Sequence, residues 1–163
     1  MSSSSNFSTD HHSNWTYTDR CDCSADFYEI WKLEWTTHCM GNVGRAAWNA
    51  FRTAASFFSF GRSTRHSGGF KDYTHEAVRI SVNCRNCGCN MSLTCELSKS
   101  GKEMRWGLYK KHVTQRKSRE FDPRLSYNMI MKVFNGMWQK YNLFSRNCAD
   151  WAREFYEIIC ELT

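Results

Sequence analysis

The sequence contains a single proline among its 163 residues and has no long apolar run. A membrane-spanning helix needs roughly 20 consecutive apolar residues, and no stretch of this chain approaches that length. The first residues, MSSSSNFSTDHHSNW, also lack the basic and then apolar layout of a secretory signal. These absences exclude a membrane-spanning helix and give no sign of export. We therefore expect a cytoplasmic protein whose contact with a membrane, if it has one, is peripheral.

Neither sign of charge dominates the chain. Its lysines and arginines number 22 and its aspartates and glutamates 16, for a formal charge of +6 and a pI near 8.9. That excess indicates mild attraction to anionic lipid, nucleic acid or acidic proteins without selecting among them. The hydrophobic content of 41% predicts one core and a single domain over residues 21–163. Residues 1–20 are polar and serine-rich, so we expect a disordered tail there.

Cysteine is abundant, with nine residues. An odd number of cysteines in a chain without an export signal indicates reduced thiols, metal ligands or a catalyst rather than a disulfide framework.

The strongest periodic pattern predicts an amphipathic helix that begins at Cys148, with Asn147 as its N-cap. A thiol in the first turn of a helix is close to unpaired amides and to the positive end of the helix dipole, which lower its pKa. The same amides could hold a developing oxyanion. The alternative is that Cys148 is a small packing residue. The apolar residues at helical spacing are Trp151, Phe155, Ile158, Ile159 and Leu162.

The rest of the chain predicts an α+β fold, a small antiparallel β-meander packed against C-terminal helices. A strict alternation over residues 26–38 predicts a first strand, and Pro123 and Ser126 precede a predicted helix that extends to Tyr141. Between the first predicted strand and the strand that begins at His75, residues 41–69 have a basic helical pattern. We expect them to form an insertion that packs on the sheet, covers a groove or lies on a membrane. The meander strands are predicted at residues 75–84, 89–97 and 104–113.

A thiol nucleophile needs a base within hydrogen-bonding reach, and histidine suits that role near neutral pH. His75 begins the first meander strand and is our candidate, although a histidine at a strand end is often a surface residue. The next strand carries a pool of side chains that could orient the imidazole, and the sequence does not select among them. They are Asn90, Ser92, Thr94 and Glu96.

A second cluster, Cys84-x-x-Cys87-x-Cys89 with Cys95, resembles half of a zinc knuckle. We expect that any zinc bound there is structural. A complete site needs further ligands, and the alternative is a cysteine-rich hairpin turn without metal. Other eligible ligands are Cys21, Cys23, Cys39 and His112.

The residues around the cysteine resemble a known motif. Tyr141-x-Leu143, then Asn147-Cys148 and Trp151, resemble the "NC" box of the permuted NlpC-type papain-like thiol enzymes, which include the lecithin:retinol acyltransferase and PPPDE peptidase families. The segment 73–82 resembles their histidine strand. The resemblance implies a permuted papain-like fold and a Cys–His site. The second histidine of the acyltransferases has no counterpart after His75.

Together, these patterns predict a hydrolase or transferase that acts through a thioester on Cys148 with His75 as base and needs no cofactor. The expected substrate is an acyl-lipid or a modified protein, as for an acyltransferase or a thiol protease. We expect peripheral contact with anionic membrane through residues 41–61 and 110–119, and no nucleic acid. Two alternatives stay open: an inactive member of the same fold that binds protein or lipid, and a zinc-stabilised module that binds nucleic acid.

Overall fold

A computed structural model describes most of the chain and contains, within the described residues, six strands and two α-helices. The predicted insertion at 41–69 lies outside them, as do His112 and Leu143. The described residues are 14–39, 74–111, 113–142 and 146–163. The strands are β1 (Trp15–Tyr17), β2 (Tyr28–Cys39), β3 (Thr74–Cys84), β4 (Asn90–Ser98), β5 (Gly101–Tyr109) and β6 (Val113–Ser126), and the helices are α1 (Tyr127–Gly136) and α2 (Cys148–Cys160).

All the strands belong to one antiparallel sheet with the order β1-β5-β4-β3-β2-β6. The chain passes through β3, β4 and β5 as successive neighbours, so the predicted meander is confirmed. The predicted α+β class is confirmed as well. The third meander strand runs from Gly101 to Tyr109 rather than over residues 104–113, because the polar link before it already pairs with β4.

The core lies between one face of the sheet and the two helices. Val78 and Ile80 of β3 and Leu93 of β4 are completely buried there, together with Trp151 and Phe155 of α2. The Trp151 and Phe155 rings stack with their centroids 4.9 Å apart. Because each large apolar side chain contributes roughly 1.5–3 kcal/mol when it is fully buried, the burial of these two side chains holds α2 against β3 and β4.

A β-bulge interrupts β2, where the pairing with β3 shifts register between Ile30 and Lys32. Trp31 is the extra residue. The bulge breaks the predicted alternation, so Ile30 and Leu33 are both fully buried although strict alternation places them on opposite faces.

Within the tail predicted at residues 1–20, the structure describes only 14–20, and there Trp15–Tyr17 form β1 and pair with β5 instead of being disordered. Trp15 is 7% exposed, and its ring lies edge-on to that of Tyr109 with centroids 5.0 Å apart. Burial of this indole helps to hold the three-residue strand at the sheet edge, in addition to its pairing with β5.

The basic segment 110–119, named above as a possible membrane contact, lies mostly in β6, a long edge strand that pairs with β2. Exposed charged side chains suit an edge strand, and Pro123 is tolerated in β6 because an edge strand leaves some N–H positions unpaired. Ser126 does precede α1, but that helix ends at Gly136, short of the predicted Tyr141.

Gly107 allows β1 to approach β5. Its φ of +139° is unfavourable for other residues, and a Cβ there would overlap the Thr16 carbonyl oxygen and lie 2.7 Å from the Trp15 ring. We expect Gly107→Ala to lower the free energy of unfolding by about 2 kcal/mol or more and to release β1. Urea unfolding and amide exchange at Trp15 measure this. The matched control is Gly136→Ala, where a Cβ meets nothing within 4 Å; an equal effect of both changes would contradict the prediction.

Candidate active site

Cys148 is the first residue of α2, as the sequence predicts. The Asn147 side-chain oxygen accepts hydrogen bonds from the amides of Ala149 at 2.9 Å and Asp150 at 3.1 Å, so the predicted N-cap is confirmed. The cap fixes the entry into the helix and leaves Cys148 partly buried in its first turn.

His75 lies beside this thiol. It is the second residue of β3 and is 8% exposed, at the end of the strand where the N-terminus of α2 comes alongside. Its ring is hydrogen-bonded to the Cys148 side chain, and its Nε2 atom lies 2.9 Å from Glu96 Oε2. Because Nε2 is held by the carboxylate, Nδ1 is the nitrogen left for the sulfur.

Of the four candidates for an orienting group, the structure brings Glu96 to the histidine. Glu96 is 2% exposed, and β4 pairs with β3 so that it stands opposite Ala77, two residues from His75. Thr94 instead donates to the Gly107 carbonyl at 2.8 Å. The other two candidates lie further along β4, with Asn90 opposite Asn83 and Ser92 opposite Ser81.

Two residues that sequence reasoning missed hold Glu96 from the other side. The Tyr109 hydroxyl lies 2.9 Å from Glu96 Oε2, and the Arg105 guanidinium donates to Glu96 Oε1. Arg105 also stacks over the Trp15 ring, with 4.2 Å to the centroid. The sequence pattern that could have indicated them is the alternation Arg105, Gly107, Tyr109, because residues two apart on a strand lie on the same face of the sheet.

These contacts set the charges of the site. Burial alone would raise the pKa of Cys148, but the hydrogen bond and charge of His75 and the amide of Glu76 lower it below its usual value. Burial would lower the pKa of His75, yet Cys148 and Glu96 raise it to about 10. Burial would raise the pKa of Glu96, and His75 with Arg105 lowers it to about 2. These contacts therefore favour the thiolate of Cys148, the imidazolium of His75 and the carboxylate of Glu96.

Glu76 is a second buried carboxylate next to the site. Its backbone N–H is directed at the Cys148 sulfur, while its negative charge disfavours the thiolate. The side chain is held by Trp35 Nε1 at 2.7 Å and by Arg116 Nη2 of β6 at 2.8 Å. These two donors offset the negative charge of Glu76 beside the nucleophile.

His38 packs behind the catalytic candidates. Its ring stacks on Tyr109 with centroids 3.7 Å apart and meets His75 edge-on at 5.2 Å. This packing limits the orientations that the His75 ring can adopt.

The cysteines of the predicted zinc site separate into two groups. The Cys84 and Cys87 sulfurs lie with those of Cys21 and Cys23, all within 4.8 Å of one another. The predicted ligands Cys89 and Cys95 are not among them. Cys89 is exposed after the turn, and Cys95 is completely buried in the apolar core, because its position on β4 directs it toward the helices.

Comparisons of the chain with protein-family models, curated proteins and solved structures gave no match. Neither described helix is long and apolar enough to cross a membrane. The function of the chain is therefore inferred from the geometry of its own residues.

Proposed function

We propose that the chain is a cysteine-dependent acyl hydrolase or acyltransferase of the permuted papain-like class. The observation that carries this proposal is the series Cys148, His75 and Glu96, joined by hydrogen bonds at the start of a helix. A thiolate beside an oriented imidazolium is the arrangement that thiol acyl transfer requires. The order of histidine before cysteine, and a helix packed on an antiparallel sheet, also support it.

In the proposed reaction the Cys148 thiolate attacks an acyl carbon. The carbonyl π electrons move to oxygen, and the oxyanion is held by the Cys148 amide, because the next two amides of the first turn already donate to the Asn147 side chain. The tetrahedral intermediate collapses to a thioester as the leaving group takes a proton from His75. Water, an amine or a hydroxyl then attacks the thioester, gives its proton to His75 and regenerates the thiolate.

Glu96 has a positioning role in this scheme. It accepts from His75 Nε2, which fixes the ring with Nδ1 toward the sulfur and favours the imidazolium. Arg105 and Tyr109 hold the carboxylate in place, so the imidazole of His75 on β3 is oriented by residues of β4 and β5.

The proposed substrate is an acyl-lipid or a modified protein. The exposed Lys110 and Lys111 at the end of β5 are placed to contact an anionic surface, whereas Arg116 is already bound to Glu76. The other proposed contact segment, 41–61, lies outside the described residues. The described cysteines whose side chains are placed are all free thiols, which supports a reducing compartment such as the cytoplasm.

Alkylation with iodoacetamide near neutral pH tests the proposal. We expect Cys148 to react at least about tenfold faster than Cys160, which lies at the other end of the same helix, because His75 lowers the pKa of Cys148 and is its hydrogen-bond partner. Peptide mass spectrometry after short exposure measures both rates. Incubation with an activated p-nitrophenyl ester should also add one acyl group, removable by hydroxylamine, and Cys148→Ser should abolish that adduct.

Equal rates at the two cysteines, or an acyl group elsewhere on the chain, would contradict the enzymatic proposal. In that case the fold would serve as a binding protein without activity.

A further inference from the structure

Four cysteines gather at the end of β3 that lies far from His75. Their sulfur atoms all lie within 4.8 Å of one another, and they come from two separate segments, Cys21-x-Cys23 before β2 and Cys84-x-x-Cys87 after β3. In a tetrahedral site with metal–sulfur bonds of about 2.3 Å, neighbouring sulfurs lie about 3.8 Å apart. Sulfur atoms that all lie within 4.8 Å of one another are compatible with that geometry.

The second segment has the backbone of a metal-binding turn. The Gly88 amide donates to the Cys84 carbonyl at 2.7 Å, and the Cys84 amide donates to the Cys89 carbonyl at 2.9 Å. Gly88 has a φ of +76°, which reverses the chain directly after Cys87. The next amide, that of Cys89, is directed at the Cys87 sulfur. The turn therefore brings the Cys84 and Cys87 sulfurs together, with a backbone donor directed at one of them.

The first segment is held in a matching position. The Cys23 amide is directed at the Cys21 sulfur, and the Tyr28 hydroxyl donates to the Cys21 carbonyl at 2.9 Å. The two segments are also joined to each other. Asn86 Nδ2 lies 3.3 Å from the Cys23 sulfur, and the Arg85 amide donates to the Phe27 carbonyl at 2.9 Å. These contacts therefore hold the Cys21 and Cys23 sulfurs close to those of Cys84 and Cys87.

We propose that Cys21, Cys23, Cys84 and Cys87 bind one structural Zn²⁺ ion. Each thiol loses its proton to solvent, and four sulfur–zinc bonds form without any change in oxidation state. Four thiolates in a tetrahedral arrangement suit zinc, and they leave no open position for water or substrate. The ion therefore has no part in the chemistry of Cys148. This ligand set replaces Cys89 and Cys95 of the sequence prediction with Cys21 and Cys23.

The ion would link distant parts of the chain. The ligands Cys23 and Cys84 belong to segments that are far apart in sequence, so the metal closes a long loop and holds the segment before β2 against the turn after β3. His75 and Cys84 lie at opposite ends of β3, about 30 Å apart at the rise of a strand. Because of that separation, the proposed zinc site and the proposed thiol chemistry can be tested independently of each other.

Metal analysis of the full chain, purified under reducing conditions, tests the site. We expect about one zinc per chain for the wild type and for Cys89→Ser, the matched control in the same turn, and a loss of most of that zinc for Cys87→Ser and Cys23→Ser. Replacement of the zinc by Co²⁺ should give the visible absorption of a tetrahedral site with thiolate-to-cobalt charge transfer. If the serine variants do not fold, removal of the metal from the wild type with a chelator should lower its Tm by roughly 10 °C or more.

Four results would overturn the proposal. They are a folded wild type that is purified with no bound metal, stoichiometric iron in place of zinc, a disulfide among these cysteines in the reduced preparation, and zinc loss in Cys89→Ser equal to that in Cys87→Ser. Cys148→Ser should keep its zinc. The metal analysis therefore tests the zinc site even if Cys148 has no catalytic role.

Discussion

His75→Ala is expected to slow alkylation of Cys148 by roughly a hundredfold at about pH 6.5. The reason is that His75 supplies both the hydrogen bond and the positive charge that oppose the burial of the thiol. Without them, burial and the nearby Glu76 charge raise the pKa of Cys148, and little thiolate remains at that pH. The second-order rate constant with iodoacetamide, followed by mass spectrometry of the Cys148 peptide, measures the effect.

The pH profile gives a sharper form of the same prediction. In the wild type the rate should already be high below the usual thiol range and should stay nearly flat until His75 loses its proton near pH 10. In His75→Ala the rate should rise only as an ordinary buried thiol ionises. The control is Ser81→Ala on the same strand, which should keep the wild-type profile. A wild-type profile that follows an ordinary thiol would contradict the ion pair.

Local sequence patterns were sufficient to predict the helix of the site. The apolar residues at helical spacing and Asn147 predicted the start of α2 correctly, because caps and periodicity are properties of neighbouring residues. The meander was predicted for the same reason. The bulge at Trp31 was not predicted, since it depends on how β2 pairs with β3.

The partners of His75 could not be predicted from local patterns. Four side chains on β4 were equally eligible, and Glu96 is brought to the histidine only because the register sets it opposite Ala77. Arg105 and Tyr109 depend in turn on the register of β5. The cysteine cluster was also only partly predictable. The spacing Cys84-x-x-Cys87 indicated two of the four ligands, whereas Cys21 and Cys23 are brought to them by the pairing of Tyr28 with Cys84.

Glu96→Gln is expected to lower the free energy of unfolding by about 3 kcal/mol near pH 6, because it removes the charge that faces His75 and Arg105. The pKa of Glu96 falls from 4.5 to about 2 on folding, so its contribution is complete above pH 4.5 and is lost as the pH falls toward 2. The pKa of His75 rises from 6.5 to about 10, so its contribution is complete below pH 6.5 and is lost as the pH rises through 10.

The stability difference between the wild type and Glu96→Gln should therefore be largest between pH 4.5 and 6.5 and should shrink on both sides. Urea unfolding at about pH 3, 6 and 10 measures it. Glu103→Gln is the matched control, since Glu103 stands directly opposite Glu96 on β5 but is held by Ser98 and Ser100 instead of a histidine. A difference that is the same at all three pH values would mean that Glu96 acts through packing alone, and the charged link from Arg105 to the thiolate would then have no role in the site.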